Sequence, residues 1–202
     1  MAMISQEAST TVVFLPATRP GDTRFGRPPE RVDGFPELGC ATVPFERQVW
    51  YNRAVCDAAA AHIRALPGER LILVGFSKSA IGAWTLTSML GSRVRGTVLF
   101  DGPVARDACP PWNTAAFYAS DEQWQSDLPI RTIDAFRRRL APDHRLALIP
   151  GALFRDEMAA LASALRDTGH AHLWIDEARF THNWNSGWIE AALTALARRR
   201  TP

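Results

Sequence analysis

Three residues of this 202-residue chain have the types and the spacing for covalent chemistry: a serine at position 77, a histidine at 182 and an aspartate between them. Ser77 follows Leu71-Ile72-Leu73-Val74-Gly75-Phe76, an apolar run that reads as a strand, and precedes a segment of helical periodicity. A serine hydroxyl is a weak nucleophile at neutral pH and needs a base in hydrogen-bond reach, which a third group must orient. A chain that assembles all three transfers acyl groups through a covalent intermediate. Ser77 has a plainer role open to it, as N-cap of the helix. The strand-turn-helix setting favours the nucleophile over the cap.

Gly75-Phe76-Ser77-Lys78-Ser79 has the form of a G-x-S-x-G nucleophile elbow with Ser79 in place of the second glycine. Small residues are required there because the turn is sharp and the following helix passes close by, so tight packing is expected around Ser79. The base follows by elimination among five histidines. His62 lies in the helix before the elbow strand. His144, His170 and His172 precede or begin strands and so belong to the opposite edge of a sheet. His182 alone follows the last strand and precedes the last helix, in the order serine, acid, histidine that such a site requires.

The acid is less sharply defined. Asp101 ends the run Thr97-Phe100 and is preferred; Asp156 follows the next strand and is the alternative, while Asp176 is a remote third. Asp156 also suits an N-cap, and Asp101 suits a turn in Asp-Gly-Pro. An oxyanion hole would take the backbone N–H of Lys78 and a second from Ala17 or Thr18, because Pro16 has none. Phe76, Trp112 and Trp184 are candidates for an apolar substrate wall.

These residues need a scaffold, and the periodicity supplies one. Strands are expected at Val12-Leu15, Leu71-Val74, Thr97-Phe100, Arg145-Ile149 and His172-Asp176, with a weaker one near Cys40-Val43. Their unbroken apolar centres suit strands covered on both faces. Between them run helices: Phe45 to Leu66, stopped by Pro67-Gly68; a face of Ile81, Trp84, Thr85, Ser88 and Met89; one of Met158, Leu161, Ala162 and Leu165; and a last one of Ile189, Ala192, Leu193 and Leu196. This alternation predicts one α/β domain over 1–202, a doubly wound, mostly parallel sheet with helices on both faces. Arg19 to Pro36 reads as a long loop. Residues 102–130 read as a small cap or a loop insertion held by its own aromatics.

Composition limits the alternatives. With 47% hydrophobic and 22% charged residues, a packed core is expected. The net charge of +2 is spread out, and the only basic runs, Arg137-Arg138-Arg139 and Arg198-Arg199-Arg200, sit near helix ends, so no nucleic-acid partner is expected. Three widely spaced cysteines argue against a disulfide framework and against zinc. Met1 to Thr11 has no basic flank for an export signal and no window reaches membrane-spanning length, which points to a cytoplasmic protein without membrane contact.

Gly75-Phe76-Ser77-Lys78-Ser79, Phe100-Asp101-Gly102-Pro103 and His182-Asn183-Trp184-Asn185-Ser186-Gly187-Trp188 together resemble a bacterial branch of the α/β-hydrolase superfamily. Its members show an elbow G-F-S-K-S-G, a strand ending in W-D-A-P and a terminal H-x-W-x-S-G-W. The resemblance runs from about Leu71 to the end. Ala80 replaces the glycine of that pattern, and Phe-Asp-Gly replaces Trp-Asp-Ala. It implies a minimal α/β-hydrolase fold with a small cap or none, with Ser77 and His182 as nucleophile and base and Asp101 as acid. The expected activity is cleavage of a carboxylic ester or thioester of a small-molecule acyl substrate, without metal or organic cofactor. An acyltransferase or cyclase using the same nucleophile, and a hydrolase-like binding module without catalysis, are the alternatives.

Overall fold

In the computed structural model, which describes residues 9–198, six parallel strands form one sheet in the order β2-β1-β3-β4-β5-β6. They are β1 (Thr10–Leu15), β2 (Gly39–Thr42), β3 (Arg70–Phe76), β4 (Val94–Phe100), β5 (Arg145–Ile149) and β6 (Leu173–Trp174). The helices are α1 (Arg53–Arg64), α2 (Ser79–Leu90), α3 (Asp121–Asp127), α4 (Ile133–Arg137), α5 (Arg155–Asp167) and α6 (Trp188–Ala197). Arg199 and Arg200 of the second basic run, and most of the N-terminal segment, lie outside the described residues. No described helix is long and apolar enough to cross a membrane.

Side chains alternate across each strand, so each strand feeds two cores. Val13, Leu15, Leu71, Leu73, Leu99 and Leu148 face the layer that contains α1, α2, α4 and α5. Val12, Phe14, Val74, Phe76, Phe100 and Ile149 face α6. On that second face, Phe25, Val32 and Phe35 of the Arg19–Pro36 region, with Leu38 just after it, cover the area beside α6. The long loop therefore does the work of a missing helix.

The chain leaves β1 outward to β2, returns through α1 to β3 on the other side of β1, and then proceeds through β4 and β5 to β6. Loops leaving the C-terminal ends of β1 and β3 consequently diverge. That divergence opens a crevice at the point where the strand order reverses, the usual ligand position in open α/β sheets.

Two helices differ from the periodicity. Residues 45–52 are not helical; α1 begins only at Arg53, with the Asn52 side chain accepting from Val55 N–H at 3.0 Å. The apolar residues before it are tied down one at a time. Val49 N–H donates to the Ala17 carbonyl at 3.1 Å, Trp50 packs edge-on against Trp124, and the Tyr51 hydroxyl donates to the Pro16 carbonyl at 2.8 Å. In α2 the expected stripe is misplaced: Ala80, Ile81, Gly82, Ala83, Trp84, Leu86 and Thr87 are all buried, whereas Thr85, Ser88 and Met89 are only partly so. A helix wedged between the sheet and its neighbours is apolar nearly all round, and such a helix has no single stripe to read. The last strand is shorter than expected, with only Leu173–Trp174 in register.

Residues 102–130 hold two short 3-10 turns and α3, which rest on a separate small core of Trp50, Ile81, Tyr118, Trp124 and Leu128. At the opposite edge of the sheet, His144 is partly buried and its Nε2 is 2.9 Å from Thr97 Oγ1, which is 2.6 Å from Thr87 Oγ1. Burial is the main cause lowering the His144 pKa from 6.5 to about 4; His170 adds to it and Asp143 opposes it. The unfolded chain takes up this proton near 6.5, the folded one only near 4, so the neutral ring's contribution is complete above about 6.5 and is lost as pH falls toward 4. The unfolding free energy is expected to drop by about 3 kcal/mol over that window from this group. His144→Gln, which keeps a hydrogen-bonding side chain but cannot titrate, should flatten the slope in urea titrations between pH 7 and 4.

Candidate active site

β3 ends at Phe76, α2 begins at Ser79, and only Ser77 and Lys78 make the turn between them. Ser77 has φ of 55°, in the left-handed region that non-glycine residues rarely occupy. The turn is fixed on both sides of the serine. Ser77 N–H donates to the Phe100 carbonyl at 2.9 Å and Ala80 N–H to the Ser77 carbonyl at 3.0 Å. The fully buried Ser79 hydroxyl bridges back to Phe76, accepting from its N–H and donating to its carbonyl, both at 2.9 Å. Ser79 thus fits where the motif has glycine because its one polar atom finds two partners there. Gly75 has no such latitude: a Cβ would lie 2.8 Å from Ala80 Cα and 2.8 Å from Ala83 Cβ.

Asp101 follows β4 immediately, also with a positive φ, 43°, and is fully buried. Its carboxylate receives three donors: Phe154 N–H on Oδ1 at 2.7 Å, Leu153 N–H on Oδ2 at 3.2 Å, and His182 Nδ1 on Oδ2 at 2.6 Å. Burial is the strongest single influence on this carboxyl and pushes its pKa up. The three hydrogen bonds, with the charge interaction of His182, together outweigh it, and the net pKa lies below the ordinary aspartate value, so the ionised form is favoured. Gly151 allows the close approach, since a Cβ there would overlap the Asp101 carboxylate.

His182 donates through Nδ1, which leaves Nε2 as the nitrogen free to take a proton. Its ring is enclosed by Phe76 (centroids 4.5 Å apart), Phe25 (5.3 Å) and Phe154 (6.0 Å). The residues after it explain the His-Asn-Trp-Asn-Ser-Gly-Trp run. Trp184 N–H donates to the Phe25 carbonyl at 2.8 Å, and the Asn183 side chain accepts from Asn185 N–H at 2.9 Å. Trp188 Nε1–H donates to the Asn183 carbonyl at 2.9 Å and its ring stacks on Phe100, while Gly187 starts α6 at φ 84°. The loop bearing the histidine is therefore anchored to the same aromatic stack that underlies the elbow.

Ser77, Lys78 and His182 line one cavity of about 360 Å³ at the crevice between the β1 and β3 loops. Ala17 and Thr18 line it from the β1 side, and Phe76, Trp112 and Trp184 contribute apolar wall. The Ala17 loop is pinned by the hydrogen bonds to Val49 and Tyr51, whose acceptors are its carbonyls and those of Pro16. The structure does not bring Asp156 to this site; it is exposed in the first turn of α5. Asp176 also points elsewhere, paired with Arg155 at 2.7 Å. Sequence reasoning missed Phe25, Leu153 and Phe154, which enclose His182 or hold Asp101. The only local signal for the last two was Pro150-Gly151 after β5, a turn whose glycine adjoins the carboxylate.

This arrangement is an α/β-hydrolase fold: one parallel sheet with helices on both faces and the turn after β3 bearing a strained serine. Among solved structures, the S-formylglutathione hydrolase from Agrobacterium tumefaciens is similar, with a TM-score of 0.63 at 14% identity over 96% of this chain and 84% of that one. An arylesterase aligns with a TM-score of 0.57 at 13% identity over 94% and 77% of the two chains. Arabidopsis thaliana SOBER1 aligns with a TM-score of 0.54 at 11% identity over 94% of this chain and 99% of that one. No family model and no curated protein matches the sequence. At these identities the likeness is one of fold.

Proposed function

We propose that this protein is a serine hydrolase that cleaves a carboxylic ester or thioester through an acyl-enzyme on Ser77. The observation that carries the reading is the 2.6 Å contact between His182 Nδ1 and the buried, ionised Asp101, with Ser77 on the wall of the same cavity. The esterase and hydrolase names of the similar structures agree with it.

Ser77 Oγ attacks the acyl carbon and His182 Nε2 takes its proton. Asp101 keeps the other ring nitrogen protonated and stabilises the imidazolium that forms. The oxygen of the tetrahedral intermediate turns negative and is met by the Lys78 N–H, with a second donor from Ala17 or Thr18; each such donor is typically worth about 3 kcal/mol. His182 then returns the proton to the leaving alcohol or thiol as the acyl-enzyme forms. Water, deprotonated by the same imidazole, releases the acid and restores Ser77.

Rapid mixing with p-nitrophenyl butyrate tests the covalent route. One equivalent of p-nitrophenolate per chain should appear in a burst before the steady state. A linear time course with Ser77→Ala turning over equally would reject the acyl-enzyme.

A further inference from the structure

One end of the catalytic cavity is rich in donors and poor in acceptors. The Trp112 carbonyl oxygen receives Trp50 Nε1–H at 3.1 Å, Lys78 Nζ at 3.2 Å and Gln48 Nε2 at 3.3 Å. A carbonyl oxygen has two lone pairs, so three donors already exceed what it can satisfy. Lys78 has two more N–H groups and Gln48 one more, and both residues line the cavity. The Lys78 ammonium sits 4.8 Å from the centre of the Trp50 ring, and among the described residues no carboxylate lies within ion-pair distance of it. Arg24 lines the same cavity and has no ion pair among the described residues. Among the described residues Asp22 is the one acidic residue on the cavity wall, and its Oδ1 accepts from the Arg24 backbone N–H at 3.1 Å.

We propose that this end of the cleft is an oxyanion subsite, and that the ester substrate carries a carboxylate or similar oxyanion which accepts from Lys78 Nζ and Gln48 Nε2. The inference rests on the serine hydrolase reading for its reaction and adds the substrate class. A partly desolvated cation held only by a carbonyl and an aromatic ring is costly, and an incoming anion converts that cost into charge-assisted hydrogen bonds. Burial brings the Lys78 pKa down to about 8. Because Lys78 follows the nucleophile directly, the anion must lie within one lysine side chain of the scissile carbonyl. A short spacer is required, and a long-chain neutral acyl group is disfavoured.

The test compares matched esters. The mono-p-nitrophenyl ester of adipic acid puts a carboxylate on the acyl side and is compared with neutral p-nitrophenyl hexanoate; 4-(hexanoyloxy)benzoate puts one on the leaving group and is compared with neutral 4-(hexanoyloxy)benzamide. At least one anionic ester should exceed its neutral counterpart in kcat/KM by about tenfold, mostly through KM. The ester that does so identifies the side on which the anion lies. Lys78→Met should reduce that anionic-to-neutral ratio about tenfold, Gln48→Leu less, and Lys78→Arg should restore most of it. A wild-type ratio near one for both anionic esters, or a ratio unchanged in Lys78→Met, overturns the subsite while leaving the hydrolase reading intact. Binding is read separately from tryptophan quenching in Ser77→Ala. There the favoured anionic ester should bind about tenfold tighter than its neutral counterpart, and Lys78→Met should erase the difference. Equal binding rejects the subsite even if no ester is turned over.

Discussion

Ser77→Ala is expected to lower kcat for p-nitrophenyl butyrate by about 10⁴- to 10⁶-fold. The size follows from the proposed division of labour in the cleft. Without the hydroxyl no acyl-enzyme forms, and only the oxyanion donors and the binding wall remain to speed direct attack by water. The fold should survive. The bonds that fix the turn run through the Ser77 backbone and the Ser79 side chain, neither of which the substitution removes. Alanine tolerates a φ of 55° about as poorly as serine does, so the unfolding midpoint should move little. His182→Ala should lose a comparable factor, and the double variant should lose no more than the worse single one, because the two residues act as a unit.

Asp101→Asn is expected to cost about 10⁴ in kcat. The carboxylate is met by donors only: two backbone N–H groups and the imidazole Nδ1. An asparagine must turn its NH₂ toward one of them. Facing His182, the NH₂ donates to Nδ1 and selects the tautomer protonated on Nε2, which cannot take the proton of Ser77. Facing Phe154, it sets donor against donor in a fully buried site and leaves that backbone N–H without a partner, at a cost of about 1–3 kcal/mol in stability. Urea denaturation and steady-state kinetics should therefore both register this substitution. The same change at Asp156 should fall within about 0.5 kcal/mol of wild type, because that side chain is exposed in the first turn of α5. The pair separates the two acids that sequence reasoning left open.

Why the acid stayed open is a matter of where its partners come from. The elbow at Ser77 is contiguous in the chain: an apolar strand, a glycine, a serine and a helix all lie within about twenty residues, so its setting can be read locally. His182 could be reached by elimination because the edge of a sheet on which a residue falls follows from whether it precedes or follows its strand. Asp101 is 81 residues from His182 and 53 from Phe154, and nothing local distinguishes a carboxylate that receives their N–H groups from one that turns a loop. The sheet order places these segments side by side, and the order of strands is not a local property.

The misread segment before α1 has the same origin. Phe45, Val49 and Trp50 have helical spacing, but each serves a different neighbour: Phe45 meets Tyr51, Val49 meets Ala17, and Trp50 meets Trp124. Asn52 carried the correct start signal through its capping side chain. The Arg19–Pro36 loop was legible as a loop but not as a wall. Phe25 packs against His182 and its carbonyl holds Trp184, contacts that no periodicity announces.

A fluorophosphonate carrying a reporter group tests the central claim most directly, since it is attacked only by a serine activated within such a site. Intact mass after incubation should rise by one adduct per chain, and peptide mapping should place it on Ser77, with no adduct on Ser77→Ala and strongly slowed labelling of His182→Ala. An unmodified wild-type protein, or an adduct of equal yield on Ser77→Ala, would contradict the assignment of Ser77 as nucleophile.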